Sequence, residues 1–346
     1  MIDPETIRKR LEEVWTQLGE QAGQAGHELM RACALTLIAV HDEEADPEGV
    51  ARTLAELMKE HPSRTIAVRL AAGDSPTLEA EVEARCWLGF GGRQQICSEL
   101  IAVSATESTL RDVPGAILPL VVADLPVVLW CSSRRAWGAG CFHTLAAPAD
   151  RILVDTFGSP DPGQALAAVA GEARRSRVPV MDLAWTRLTR WRALLAQVFE
   201  KELYRRRLPS FSDLLLQFEA PPEAPVPTTA LLMAGWVTSR LNNGRCRLGF
   251  ERRPVDAGPA RLTALRLRAE GDPALQVDVS RASPALGQVR IEVAGRDAVL
   301  NRCSLPPSTD VSLLAEELRI RGPDPVFHQS LERALDIVRT HERPVA

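Results

Sequence analysis

The sequence predicts an α/β protein in two parts: an N-terminal α/β domain with a mixed sheet, then a smaller α+β domain with an antiparallel sheet. Three observations carry this. At 346 residues the chain is long for one domain and comfortable for two. From Arg31 to Arg175, short Val-, Ile- and Leu-rich runs alternate with stretches of helical period, the pattern of a layered sheet-and-helix domain. Beyond Thr229 one helical stretch leads into a series of short strand-like runs and two closing helices, which reads as a meander flanked by helices. The expected division is an amphipathic helix and flexible linker over 1–26, the α/β domain over 27–204, a linker or domain edge over 205–228, and the α+β domain over 229–346.

Asp3 and Pro4 read as an N-cap followed by proline at the first helical position. Ile7, Leu11, Val14 and Leu18 then form an apolar stripe with Trp15 beside it, and Gly19–Gly26 has a flexible composition. This helix is expected to pack on its own domain rather than on another subunit. ALTLIAV (34–40) is a buried strand, and Pro47–Lys59 a helix that ends at His61-Pro62, because the residue before proline avoids helical angles. TIAVRL (65–70) is a second strand. Glu79–Leu88 and Gln94–Val103 form an antiparallel pair around the turn GFGGR (89–93), which makes the sheet mixed. A helix around Ser108–Leu120, strands VVLWC (127–131) and ILVDTF (152–157), and a helix over Gln164–Arg175 follow. Past the proline-rich run Glu219–Thr229 come a helix over Thr229–Leu241 and the strands CRLGF, LTALRLRA, LQVDVS, QVRIEVA and AVLNRCS. Helices near Val311–Arg319 and Pro325–Thr340 close the chain.

With 45% apolar and 25% charged residues the composition is that of an ordinary globular protein. A formal charge of −4 with no basic patch argues against nucleic acid and anionic membranes as partners. The opening MIDPETIRKR is too polar for a signal-peptide core. The apolar stretch Ala116–Trp130 is interrupted by Pro119, Asp124 and Pro126 and is too short to span a bilayer. The expected location is the cytoplasm.

The seven cysteines (33, 86, 97, 131, 141, 246 and 303) are odd in number and include no C-x-x-C pair, so neither a disulfide framework nor a zinc site is expected. Cys33, Cys97 and Cys131 lie in apolar runs and read as core residues; Cys246 and Cys303 are the one pair to test for redox behaviour. No G-x-G-x-x-G opens a helix after a strand, and no Walker loop, G-x-S-x-G or H-E-x-x-H is present. His41-Asp42-Glu43-Glu44 reads as a solvated acidic loop. His61, Ser63 and Arg64 could contact a phosphate, or form a turn whose arginine pairs with a carboxylate. Asp124, Asp150 and Asp155 stand at strand edges, where they could line a ligand-binding rim or serve as turn residues. Nothing pairs a nucleophile with a base, so no catalytic residue, metal or cofactor is assigned.

The most informative stretch is Asp182–Glu200, DLAWTRLTRWRALLAQVFE. Leu188, Trp191, Leu195, Val198 and Phe199 recur at helical spacing, with Thr189 as a candidate cap. Arg187, Arg190 and Arg192 crowd the helix start, where the dipole disfavours cations, so something else is expected to hold them. This run, Trp185-Thr186-Arg187-Leu188 with Trp191-Arg192 and then Ala196 and Phe199, resembles the signature of the glucose-6-phosphate dehydrogenase assembly protein family, OpcA. It departs from the family pattern at Arg190, where proline is common. Further ordered matches are CALTLIAV (33–40), HPSR with Ile66, ICSEL with Glu99, DLPVVLW (124–130), ADRILVD (149–155) and AGW (234–236); Cys131 stands where a second tryptophan is common.

The resemblance implies a non-catalytic protein that binds oligomeric glucose-6-phosphate dehydrogenase of the oxidative pentose phosphate pathway and promotes its assembly or activity. Exposed aromatic and arginine side chains are the usual anchors of such contacts, which makes Trp185, Arg187, Trp191 and Arg192 the candidates. The alternative is a sugar-phosphate or nucleotide-binding enzyme or sensor with a pocket near His61, Ser63 and Arg64.

Overall fold

The computed structural model describes residues 3–25, 28–43, 47–73, 75–89, 94–137, 140–241, 246–271, 273–320 and 322–341. In chain order the elements are α1 (Pro4–Ala25), β1 (Glu28–Arg31), β2 (Leu35–Asp42), α2 (Pro47–Glu60), β3 (Ser63–Ala71), β4 (Leu78–Leu88), β5 (Gln94–Thr106) and α3 (Val113–Ile117). Then come β6 (Val127–Cys131), α4 (Arg134–Trp137), α5 (Gly140–Ala146), β7 (Arg151–Val154), α6 (Pro162–Arg175), β8 (Val180–Asp182), α7 (Leu183–Thr186), α8 (Thr189–Val198) and α9 (Glu202–Arg205). The remainder is β9 (Phe211–Ala220), α10 (Thr228–Leu241), β10 (Arg247–Pro254), β11 (Arg261–Ala269), β12 (Leu275–Ser283), β13 (Leu286–Val293), β14 (Val299–Ser304), α11 (Asp310–Arg319) and α12 (Pro325–His341).

Two compact units result: Met1–Val154 with Val178–Val180 and Asp310–Arg321, and Asp155–Arg177 with Met181–Thr309 and Gly322–Ala346. The second is not the smaller one the sequence suggested, and α11 returns to the first.

The first unit is built on a sheet of order β1-β5-β3-β2-β6-β7-β8, with β4 added antiparallel to β5 at one edge. The pairs β1/β5, β3/β5, β2/β3, β2/β6 and β6/β7 are all parallel. Leu37 to Val40 and Val127 to Cys131 are buried without alternation, as expected for central strands covered on both faces. α1 does pack on its own unit: Ile7 and Leu11 are buried, the Trp15 indole donates to Glu99 at 2.7 Å, and Arg8 donates to the Pro119 carbonyl at 2.6 Å. It runs unbroken through Gly19 and Gly23 to Ala25, so most of the stretch read as flexible is helix. The helix expected over 108–120 is instead two 3₁₀ turns around the short α3, since Pro114 and Pro119 each remove a donor and restrict the preceding residue. Residues 90–93 of the 89–93 turn lie outside the described residues; the strands on either side pair as expected.

The second unit holds a six-stranded sheet of order β10-β9-β11-β12-β13-β14. Its strand β9 falls inside 205–228, the stretch read as a linker, because the flanking prolines and arginines masked its alternating buried positions Leu214, Leu216 and Phe218. β9, α10 and β10 form a crossover, so β10 runs parallel to β9 and the sheet is mixed rather than antiparallel. α10 is buried over most of its length. A Cβ on Gly235 would lie 2.2 Å from the Ser330 carbonyl oxygen of α12, so the glycine of the AGW triplet is what lets these helices touch.

Candidate functional site

In the second unit, the Asp182–Glu200 segment is a pair of short helices, not one. Asp182 caps α7 by accepting from the Ala184 amide at 2.9 Å; Leu188 occupies the cap position of α8, and Thr189, the expected cap, is its first residue. Asp182 is fully buried and also accepts from the Thr156 amide at 3.1 Å and hydroxyl at 2.6 Å. Burial pushes its carboxyl pKa up, with these hydrogen bonds opposing.

The motif side chains then reach carboxylates and rings around them. Trp185 donates its indole N–H to Asp324 at 2.9 Å, and Arg187 donates to Asp155 at 2.9 Å while lying 4.6 Å from the Phe157 ring centre. The Arg192 guanidinium sits 3.7 Å over the Trp185 ring, and Arg281 lies 6.0 Å from that of Trp191. Trp185 is 1% exposed and Trp191 3%. Neither indole is therefore a surface anchor; they hold the segment in place, and the outward arginine is Arg190, with Ala193, Ala196, Gln197 and Glu200 exposed beyond it. Asp182 and Asp324 were missed in the sequence, though each stands one residue before a helix and Asp324 repeats the Asp-Pro opening of α1.

His61, Ser63 and Arg64, in the first unit, do not converge. Successive strand residues face opposite ways, so Ser63 bonds Thr65 at 2.9 Å on one face while Arg64 bonds Glu99 at 2.5 Å and the Leu120 carbonyl at 2.8 Å on the other. They also open β3, at the amino end of the parallel strands, whereas such sheets bind ligands at the carboxyl end. Arg64 is the arginine of a buried cluster: Glu99, 3% exposed, also takes Trp15 and an ion pair from Arg31. The strand-edge aspartates are turn residues. Asp124 takes a positive φ of 64°, Asp150 accepts from the Val127 amide at 2.8 Å, and Asp155 accepts from the Phe157 amide at 3.0 Å.

Cys246, just before β10, and Cys303, on β14, belong to opposite edges of the six-stranded sheet, with four strands between; five spacings of about 4.8 Å put them roughly 24 Å apart, and they cannot pair. The bonded pair is Cys86–Cys97, cross-strand partners on β4 and β5; Cys97 is buried as expected of a core residue, but a disulfide was not expected from the scattered cysteines. Cys131 is buried, with its thiol pushed up to about 12 by desolvation.

The carboxyl ends of the strands were the remaining place for a ligand. The order β5-β3-β2-β6-β7-β8 is that of a doubly wound dinucleotide-binding sheet, whose crevice opens between β2 and β6. A nicotinamide dinucleotide would need glycines and bare amides at the β2–α2 turn, where its pyrophosphate meets the helix start. Here β2 ends in His41-Asp42, and Glu43, Glu44 and Asp46 follow in sequence. Asp42 accepts from the Ser133 hydroxyl at 2.6 Å and lies 3.6 Å from Arg135, which also grips Glu107 at 3.0 Å. The residues do not fit the group: the ion-paired carboxylate of Asp42, with Glu43 after it, stands at the turn where the phosphates would go. Among the described residues no group of three or more His, Cys, Asp or Glu is placed to hold a metal ion, and no helix is long and apolar enough to cross a membrane.

The geometry thus defines a two-unit α/β protein with a doubly wound sheet, and the sequence of its first strand-to-helix turn, His41 to Pro47, holds no glycine. Two models of one family match it in order, the glucose-6-phosphate dehydrogenase subunit N-terminal domain over residues 54–171 and the C-terminal domain over 178–331. The chain belongs to the OpcA family of glucose-6-phosphate dehydrogenase assembly proteins. It is 30% identical over 194 residues to the OxPP cycle protein OpcA of Nostoc punctiforme and 28% identical over 202 residues to that of Synechocystis. Those alignments cover 56% and 58% of this chain but 41% of each relative, so less than half of the curated relatives' length is matched. Among solved structures it is similar to an oxidoreductase from Bacillus cereus (10% identity, 90% and 97% of the two chains, TM-score 0.48). It is also similar to the Gal80p super-repressor mutant of Saccharomyces cerevisiae (10%, 89% and 95%, TM-score 0.48).

Proposed function

We propose that this chain is a non-catalytic assembly factor and allosteric activator that binds oligomeric glucose-6-phosphate dehydrogenase and stabilises its active form. The observation that carries the reading is the ordered match of both family models across 54–171 and 178–331. Two features of the chain support it: the acidic, ion-paired crevice at Asp42, and the separation of Ser63 and Arg64 onto opposite faces. The Trp185–Arg192 segment contributes to the interface through Arg190, with the buried indoles of Trp185 and Trp191 holding that surface in shape.

An activator acts by binding the active state of its partner better than the inactive one, with coupling of about 1–3 kcal/mol, or roughly 5- to 150-fold in affinity. By linkage the substrate then tightens activator binding by the same factor. The test is titration of the chain into the dehydrogenase of the same organism, with rate followed against glucose-6-phosphate and size-exclusion run on the mixture. Co-elution with a shifted substrate dependence is expected. Co-elution with unchanged kinetics would remove the activator half of the reading, and neither effect would remove all of it.

A further inference from the structure

A hollow of about 360 Å³ lies in the first unit on one face of the sheet, between α2 and the edge strand β4. Its make-up follows from strand register. One row across the sheet reads His41, Arg69, Ser104, Glu79, and the next reads Ala39, Ala67, Ala102, Glu81. The alanine row leaves the floor low, α2 supplies an apolar wall through Val50 and Leu54, and the glutamates of β4 form the opposite wall.

Glu79, Glu81 and Glu83 alternate along β4 and so share a face. Arg85 is paired with Glu83, and Arg69 donates to the Ser104 hydroxyl at 3.0 Å and lies 3.9 Å from the Glu43 carboxylate. Glu79 and Glu81 have no partner among the described residues. His41 lines the same hollow, 6% exposed, and its Nδ1 is buried without a hydrogen-bond partner. Burial and the nearby Arg69 hold its pKa down to about 4, so it stands as a neutral imidazole. An acidic strand face is usually only solvated. Here the two unpaired carboxylates border a concavity with an apolar far wall, which concentrates their field instead of dissipating it into water. The cations already present are paired, and two carboxylates two residues apart on one strand face suit a group that only donates hydrogen bonds.

We propose that this hollow receives a lysine or arginine side chain of a partner protein, its charge read by Glu79 and Glu81. The identity of that partner as the dehydrogenase rests on the function proposed above. The cationic chemistry of the occupant does not.

Two arms keep the ideas apart, both with the full chain. In the first, wild type, E79Q/E81Q and a charge-matched control, E12Q/E13Q on the exposed face of α1, are titrated into the dehydrogenase. In the second, the same three proteins are titrated with a tetra-arginine peptide at low ionic strength, each time with circular dichroism to verify the fold. E79Q/E81Q should weaken binding by roughly tenfold or more in both arms and flatten its salt dependence, while E12Q/E13Q stays near wild type. If wild type and E79Q/E81Q bind the dehydrogenase equally, the hollow is not the docking site, whatever becomes of the function. If wild type does not bind the dehydrogenase at all, the proposed function fails, and the peptide arm still decides the site. Equal loss in both double variants would reduce the effect to net charge and overturn the proposal.

Discussion

Replacing Trp185 by phenylalanine should destabilise the second unit without touching any surface. The indole N–H to Asp324 is a hydrogen bond to a carboxylate, and such bonds are worth about 1.5–3 kcal/mol. Arg192 lies 3.7 Å over the ring, and the smaller, less electron-rich phenyl weakens that contact by some fraction of its roughly 1–2 kcal/mol. The ring is 1% exposed and 5.9 Å from Phe327, so the missing atoms leave a cavity near the foot of α12. Against this, Asp324 keeps its bonds to the Val326 and Phe327 amides at 2.8 and 3.0 Å and is not stranded. The net expectation is about 2–4 kcal/mol, which for a unit of this size lowers Tm by roughly 5–15 °C. Urea unfolding of the full-length variant measures it. A loss below about 0.5 kcal/mol would mean that the indole is a solvent-facing anchor after all, and that the architectural reading of the W-T-R-L signature is mistaken.

Four further outcomes follow from the same geometry. Glu99→Ala removes the one carboxylate that Trp15, Arg31 and Arg64 share and should cost about 3 kcal/mol, read by chemical denaturation. Gly235→Ala drives a methyl into backbone atoms of α12, which cannot swing aside, and should cost roughly 3 kcal/mol or more in the same assay. His41 titrates near 6.5 when unfolded and about 4 when folded. The unfolded chain therefore binds the extra proton, and stability is full above pH 6.5 and falls between 6.5 and 4, by up to about 3 kcal/mol. His41→Gln should remove that part of the pH dependence, and an unchanged profile would place the imidazole in water. Alkylation of the denatured protein should label five thiols without reductant, Cys33, Cys131, Cys141, Cys246 and Cys303, and seven after reduction; seven at the outset would rule out the Cys86–Cys97 bond.

The first unit was legible in the sequence because its elements are fixed by local signals. Central strands carry continuous apolar runs such as Leu37–Val40, and Pro47–Glu60 has a proline at its start and His61-Pro62 at its end. What failed was whatever depends on a distant neighbour. β9 alternates buried and half-buried residues, but its arginine- and proline-rich flanks have the composition of a linker, and only β10 and β11 on either side make it a strand. The parallel run of β10 could not be read at all, since direction belongs to the crossover and not to the strand. The motif residues were legible as important but not in their role. Arginines crowding the start of α8 were expected to be held by a carboxylate, a phosphate or a partner, and Arg187 is held by the chain's own Asp155, which needs the fold to bring it within reach.

That reversal bears on how the signature should be used. Trp185, Arg187, Trp191 and Arg192 are held by Asp324, Asp155, Arg281 and one another, so a variant at any of them changes the shape of the segment before it changes a contact. Loss of dehydrogenase binding in such a variant would not locate the interface. The interface is better sought with exposed, charge-only substitutions: Arg190→Gln on α8, and Glu79→Gln with Glu81→Gln on β4. Each leaves burial and backbone hydrogen bonds intact, so surface variants of this kind should cost no more than about 0.5 kcal/mol in folding. If Arg190→Gln binds the dehydrogenase as wild type does while folding normally, the α8 surface is excluded as a contact. The tryptophan signature would then mark the architecture of the second unit alone.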